Sequence, residues 1–227
     1  MLRGQFITFE GGEGAGKSTQ IARLAEYLRS CGVDVVTTRE PGGSPGAEAV
    51  RHVLLSGAAE ALGPEAEAIL FSAARADHVA ETIEPALAAG KWVLCDRFID
   101  STRVYQGESG VEPALLEKLE DVAVGRLSPD LTVIVDIPPR LGLKRIAGRD
   151  SASGGAEKDR FERENLDVHA NRRARFLEIA RSEPERCVVV DGSRKPEQVA
   201  AAIIEIVEGR LGPIADSVVR TDGRAGK

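Results

Sequence analysis

The 227-residue sequence has few aromatic side chains: one Trp, two Tyr and six Phe, together 4% of the chain. Its core must therefore come mainly from Ala, Val, Leu and Ile, and a 42% hydrophobic content is enough to build one. Cysteine is scarce. Cys31, Cys95 and Cys187 are odd in number, far apart and in no C-x-x-C spacing. That argues against a disulfide framework or a cysteine-rich zinc site and leaves buried structural thiols as the expectation. The three histidines (His52, His78 and His169) stand singly and form no metal-ligand pattern. No apolar run approaches the ~20 residues of a membrane helix. The N-terminus lacks the apolar centre of a signal peptide, so a cytoplasmic location is expected. Basic charge is not in excess either. A net charge of -6 argues against a general nucleic-acid binder. The charge is uneven, however: Arg140 to Arg186 carries 12 Lys and Arg against 9 Asp and Glu. Such a stretch suits either an anionic small molecule or a solvated helical surface.

What is present is an alternation of strand and helix patterns. Apolar or β-branched runs at Gln5–Glu10, Val33–Thr38, Trp92–Cys95, Leu131–Ile137 and Cys187–Val190 read as strands. Ile21, Leu24, Ala25 and Leu28 follow helical spacing from Lys17 to a stop near Gly32. Further helices are expected over Ala47–Leu55, Pro64–Ala89 with a kink at Pro85, Pro113–Gly125, from Leu141, over Glu164–Arg181 and over Pro196–Leu211. Asp150–Asp159 reads as a flexible loop, and residues 212–227 as a poorly ordered tail. Five apolar strands separated by helices predict an α/β fold, a parallel sheet covered on both faces, in one domain over residues 1–211.

Residues 11–18, Gly11-Gly12-Glu13-Gly14-Ala15-Gly16-Lys17-Ser18, match G-x-x-x-x-G-K-[ST] between a strand and a helix. Glycines let successive N–H groups converge on one point, and the following helix N-terminus adds partial positive charge there. Lys17 is expected at the β/γ-phosphates of a nucleoside triphosphate and Ser18 at Mg²⁺. The N-K-x-D and D-x-x-G motifs of GTPases are missing, which lowers that alternative.

Strand Trp92–Cys95 delivers Asp96 and Arg97 at its carboxyl end, where ligands sit in open α/β sheets. Asp96 suits Mg²⁺, and Arg97 suits a phosphate held bidentately. Arg39-Glu40-Pro41-Gly42-Gly43 leaves the second strand in the same sense, with Arg51 on the helix beyond. Phe71 and Arg75 share a helix face at i, i+4, as needed to stack on a base and donate to its carbonyl. A second phosphorylated substrate is indicated. Another small P-loop kinase, or a P-loop switch working through a protein partner, stays open at this point.

The set FEGGEGAGKST, TREPGG, FSAAR, DRFIDSTRVYQG and SPDLTVIVDI resembles the thymidylate kinase family in order and spacing. The resemblance implies a nucleoside monophosphate kinase fold, transfer of the γ-phosphoryl of ATP to dTMP, Mg²⁺ and a homodimer. By residue, it implies that Gly11–Ser18 and Thr19 hold ATP, with Ser18 and Asp96 at the metal. Glu13 falls near the sugar 3′-hydroxyl. Arg51 and Arg97 hold the dTMP phosphate, Phe71 and Arg75 the base, with Ser101, Thr102 and Gln106 close to it. Tyr105 crowds the sugar 2′ position. The phosphate loop has no arginine, so a lid over about 149–163 is implied to supply the cation, from Arg149, Lys158 or Arg160.

Overall fold

The computed structural model describes residues 3–152, 161, 164–212 and 214, without the side chains of 149–152. Its strands are β1 (Phe6–Glu10), β2 (Val35–Arg39), β3 (Trp92–Asp96), β4 (Leu131–Asp136) and β5 (Cys187–Asp191). Its helices are α1 (Lys17–Ser30), α2 (Pro45–Leu55), α3 (Pro64–His78), α4 (Glu84–Ala88), α5 (Ile99–Glu108), α6 (Pro113–Val124), α7 (Pro139–Ala152), α8 (Leu166–Ser182) and α9 (Pro196–Leu211). The five strands form one parallel sheet in the order β2-β3-β1-β4-β5. Side chains alternate along each strand, so a strand buried on both faces reads as a continuous apolar run. Ile7, Phe9 and Leu94 join the core made with α1 and α9. Phe6, Val93 and Cys95 join the opposite core, under α4, α5 and α6. No described helix is long and apolar enough to cross a membrane.

All five expected strands form, with ends shifted by one or two residues. The long helix expected over Pro64–Ala89 is divided. After α3 the chain takes a wide turn over Val79–Ile83, in which the Glu84 N–H reaches the Val79 carbonyl five residues back. Pro85 has no N–H, and its ring would meet the carbonyl of Glu81 in a regular helix. The register therefore changes just upstream, and Pro85 falls in the first turn of α4. Helix α5 was not among the expected helices. Its buried residues include Asp100, Thr102 and Gln106, so no apolar stripe announces it. Helix α7 continues through Asp150–Ala152, where a loop was expected; the rest of that loop lies outside the described residues. Ile214, expected in a disordered tail, is buried in the α1–α9 core. Cys95 and Cys187 are buried free thiols, whereas Cys31, just past the end of α1, is only half-buried.

Register positions the site. Asp96 of β3 pairs with Phe9 of β1 on one side and Arg39 of β2 on the other. Three chain segments thus leave three adjacent strands at one level of the sheet.

Candidate active site

The loop after β1 turns back toward the sheet through left-handed glycines. Gly14 has φ 68°, and a Cβ there would collide with the Gly142 carbonyl of α7, so only glycine lets the loop lie this close. Lys17 Nζ donates to the carbonyls of Gly11 (3.1 Å) and Gly12 (3.2 Å), folding the side chain over its own loop. Burial, and Arg97 nearby, lower the pKa of this ammonium. No side chain caps α1, leaving its first N–H groups to a ligand. Ser18 Oγ donates to Asp96 Oδ2 at 2.7 Å, bringing two hard oxygen donors together at the mouth of the loop.

Arg97, directly after β3, is the one non-glycine residue with positive φ (70°) among those described. Such a conformation costs ~1–3 kcal/mol and is held by its surroundings. The surroundings are explicit. Glu10, the last residue of β1 and fully buried, accepts from Phe98 N (2.7 Å), Ser101 N (3.2 Å) and Ser101 Oγ (2.7 Å). It thereby clamps the turn that presents Arg97. Burial first, and Asp100 second, raise the Glu10 pKa to about 7. The Arg97 guanidinium donates to Glu13 Oε1 (2.7 Å), Ser101 Oγ (3.0 Å) and the Gly11 carbonyl (3.3 Å). Tyr105 donates its hydroxyl to the same Glu13 oxygen at 2.7 Å.

Burial alone would raise the Glu13 pKa, but Arg97, Lys17 and the Tyr105 hydroxyl hold it down to about 2. A carboxylate with a lowered folded-state pKa stabilises the fold above its ordinary value, 4.5, and loses that contribution as pH falls toward 2. Glu13→Gln is therefore expected to remove up to about one proton from the pH dependence of unfolding over that interval. Denaturant titrations at several pH values check this; an unchanged slope would refute the charged cluster.

Arg75 is buried, in contrast to the surface charge that an isolated helical Arg suggests. Its Nε donates to Glu40 Oε2 (2.7 Å), and its two terminal nitrogens donate to Thr102 Oγ1 and the Phe98 carbonyl (both 3.0 Å). The other Glu40 oxygen meets His78 Nδ1 at 2.9 Å, and His78 Nε2 lies 2.7 Å from Thr38 Oγ1. A buried relay from β2 thus fixes the plane of Arg75. Phe71, one turn earlier, faces Phe161 with ring centres 6.5 Å apart. Gln106 donates to Glu67 at 3.0 Å, and Arg51 to the Pro41 carbonyl at 2.6 Å.

Most of these groups meet at one cleft of about 310 Å³. Of the residues singled out in the sequence, Glu13 to Thr19, Arg51, Phe71, Arg75, Asp96, Arg97, Ser101, Thr102, Tyr105 and Gln106 all line it. Gly11 and Gly12 do not; they back the loop, with their carbonyls turned toward Lys17. Arg149 lies on α7, but its side chain, like Lys158 and Arg160 entirely, is outside the described residues. Sequence reasoning gave no role to Glu10, Glu40 or Arg145. A carboxylate ending a short strand of aromatic and β-branched residues was a readable signal for Glu10. Arg145 donates to the carbonyls of Ala15 (3.4 Å) and Gly192 (3.0 Å), tying α7 to the phosphate loop. Nothing in its sequence neighbourhood marks it.

A glycine loop between a central parallel strand and its helix, facing clustered guanidinium groups, defines a P-loop protein built to bring two anions together. The thymidylate kinase family model matches residues 9–203. The chain belongs to the thymidylate kinase family. It is 56% identical over 211 residues to a thymidylate kinase of Rhodopseudomonas palustris (strain BisB18), covering 92% of this chain and 90% of the relative. It is 53% identical over 218 residues to one of Bradyrhizobium diazoefficiens, covering 96% and 94%. The crystal structure of thymidylate kinase from Ehrlichia chaffeensis superposes with a TM-score of 0.73 at 34% identity, covering 90% of this chain and 99% of that one.

Proposed function

We propose that this cleft transfers the γ-phosphoryl group of ATP to dTMP, giving dTDP for nucleotide biosynthesis. The observation that carries the reading is the shared level of the β1 and β3 ends, which puts Lys17 and Arg97 in one cleft. On this reading the loop amides from Glu13 to Gly16, with Lys17, Ser18 and Thr19, grip the donor phosphates, and Gly11 and Gly12 back the loop. Arg51 and Arg97 grip the acceptor phosphate. Phe71 stacks on thymine and Arg75 donates to its carbonyl, with Ser101, Thr102 and Gln106 completing that wall. Glu13 receives the 3′-hydroxyl, and Tyr105 closes the space at the 2′ position.

The chemistry asks for positioning and charge neutralisation more than for a protein nucleophile. The attacking phosphate oxygen of dTMP is already ionised at neutral pH, so no strong base is needed. Mutual repulsion of two anions is the main obstacle, and Lys17, Arg97 and a lid cation (Arg149, Lys158 or Arg160) offset it. Ser18 and Asp96, 2.7 Å apart, fit Mg²⁺, which keeps few protein ligands and takes the remainder from phosphates and water. The ion would supply charge neutralisation on the donor phosphates. Membership of the family supports a homodimer, and the exposed Val53 of α2, Ile69 of α3 and Val122 of α6 are the apolar side chains such an interface would cover.

Coupled ADP release against a panel of nucleoside monophosphates tests the reading. Release is expected with dTMP and not with thymidine; release with thymidine, or release indifferent to any acceptor, refutes it. Arg75→Ala is expected to raise KM for dTMP by about 10- to 100-fold, the worth of a charged hydrogen bond, with KM for ATP unchanged. It should also cost ~3–5 kcal/mol of stability, because Glu40 would stay buried without its cation. Steady-state kinetics and denaturant melts read the two effects separately; normal dTMP binding would refute the base-pocket role.

A further inference from the structure

Arg172 on α8 belongs to none of the motifs and does not line the cleft, yet its side chain is only 4% exposed. Its guanidinium carbon lies 4.2 Å from the centre of the Tyr105 ring and 5.7 Å from that of Phe161. Nε donates to Glu108 Oε2 at 2.8 Å, and a terminal nitrogen pairs with Glu164. A carboxylate at each end leaves the planar cation little freedom, and a cation against a ring away from water is a strong contact. Tyr105 is held elsewhere too. Phe161 meets it edge-on at 5.5 Å, and its hydroxyl is bound to Glu13. The same guanidinium thus joins Tyr105 and Glu108 of α5 to Phe161 and Glu164, which precede α8.

The geometry points to Arg172 as a positioning residue: by fixing the Tyr105 ring, it sharpens the preference for a 2′-deoxy acceptor over its 2′-hydroxyl counterpart. This rests on the reading of Tyr105 as the wall at the 2′ position. A wall discriminates only as far as it resists displacement. A ring free to tilt makes room for a hydroxyl, whereas a clamped ring buries that hydroxyl without a partner. Arg172 does not line the cleft; it acts on the acceptor through the ring it backs, and its charge also reaches Glu13, behind Arg97, Lys17 and Tyr105 in effect.

The test compares kcat/KM for dTMP with kcat/KM for ribothymidine 5′-monophosphate in the wild type, Arg172→Met, Arg172→Lys and Tyr105→Ala. The dTMP preference is expected to fall about tenfold in Arg172→Met, with KM for ATP unchanged. Arg172→Met deprives Glu108 and Glu164 of their cation. Arg172→Lys retains a charge without the flat fork, and is the folded variant to rely on if the first fails. It is expected to lower the preference about threefold. An unchanged preference in the folded Arg172 variants, with Tyr105→Ala lowering it, overturns the inference and leaves the Tyr105 wall standing. Equal losses for both acceptors mark a merely structural role and overturn it as well. An unchanged preference in Tyr105→Ala removes the wall and the inference together. A wild type without dTMP-dependent ADP release removes the proposed function itself.

Discussion

Lys17→Ala is expected to lower kcat by at least ~100-fold, the scale of one lost preorganised charge in a dry site. The structure explains why no neighbour substitutes. Lys17 is only 7% exposed, and its ammonium bonds the carbonyls of its own loop. Those bonds are ones a phosphate oxygen can replace without moving the backbone. Burial and Arg97 disfavour the charged form while Asp96, Glu13 and Glu10 favour it, and an incoming phosphate would favour it further. Alanine would remove that charge and leave two loop carbonyls without their donor. Single-turnover measurements at saturating ATP read the chemical step directly; turnover within a few-fold of wild type would falsify the donor-site assignment.

The second large effect falls on the acceptor. Arg97→Ala is expected to reduce kcat/KM for dTMP by about 10³-fold, since it removes an anion clamp and also frees a repulsive group. Glu13 is held ionised chiefly by Arg97, at 2.7 Å. Without that partner its carboxylate would confront the incoming phosphate. Arg97→Lys restores a charge but cannot reproduce the contacts to Glu13, Ser101 and the Gly11 carbonyl together, so about a tenfold recovery is expected. Initial-rate kinetics with varied dTMP decide it. Full recovery in the lysine variant would mean that charge alone matters and that the forked geometry does not.

Legibility in the sequence followed how local each feature was. Residues 11–18 were readable because a phosphate loop is a contiguous pattern whose spacing follows from backbone geometry. The inner strands β1, β3 and β4 were readable because burial on both faces leaves nearly uninterrupted apolar runs, and the edge strands β2 and β5 because of their β-branched residues. Phe71 and Arg75 were readable as one helix face. Long-range features were not. Arg51, Arg75 and Arg97 stand on or beside α2, α3 and β3, and only the strand order and helix docking bring them to one cleft. Helix α5 was hidden because the side that faces the cleft is polar. The wide turn before Pro85 and the stacking of Arg172 on Tyr105 each depend on neighbours distant in the chain.

The common level at which β1, β2 and β3 end has an evolutionary corollary. Adjacent strands in a sheet are held about 4.8 Å apart by their ladder of peptide hydrogen bonds, and no side-chain replacement changes that interval. The spacing between donor and acceptor phosphate holders is therefore inherited from the scaffold. Drift toward another nucleobase or sugar has to proceed through the helical rim, at positions such as Phe71, Arg75 and Tyr105, while the distance over which the phosphoryl group travels stays the same.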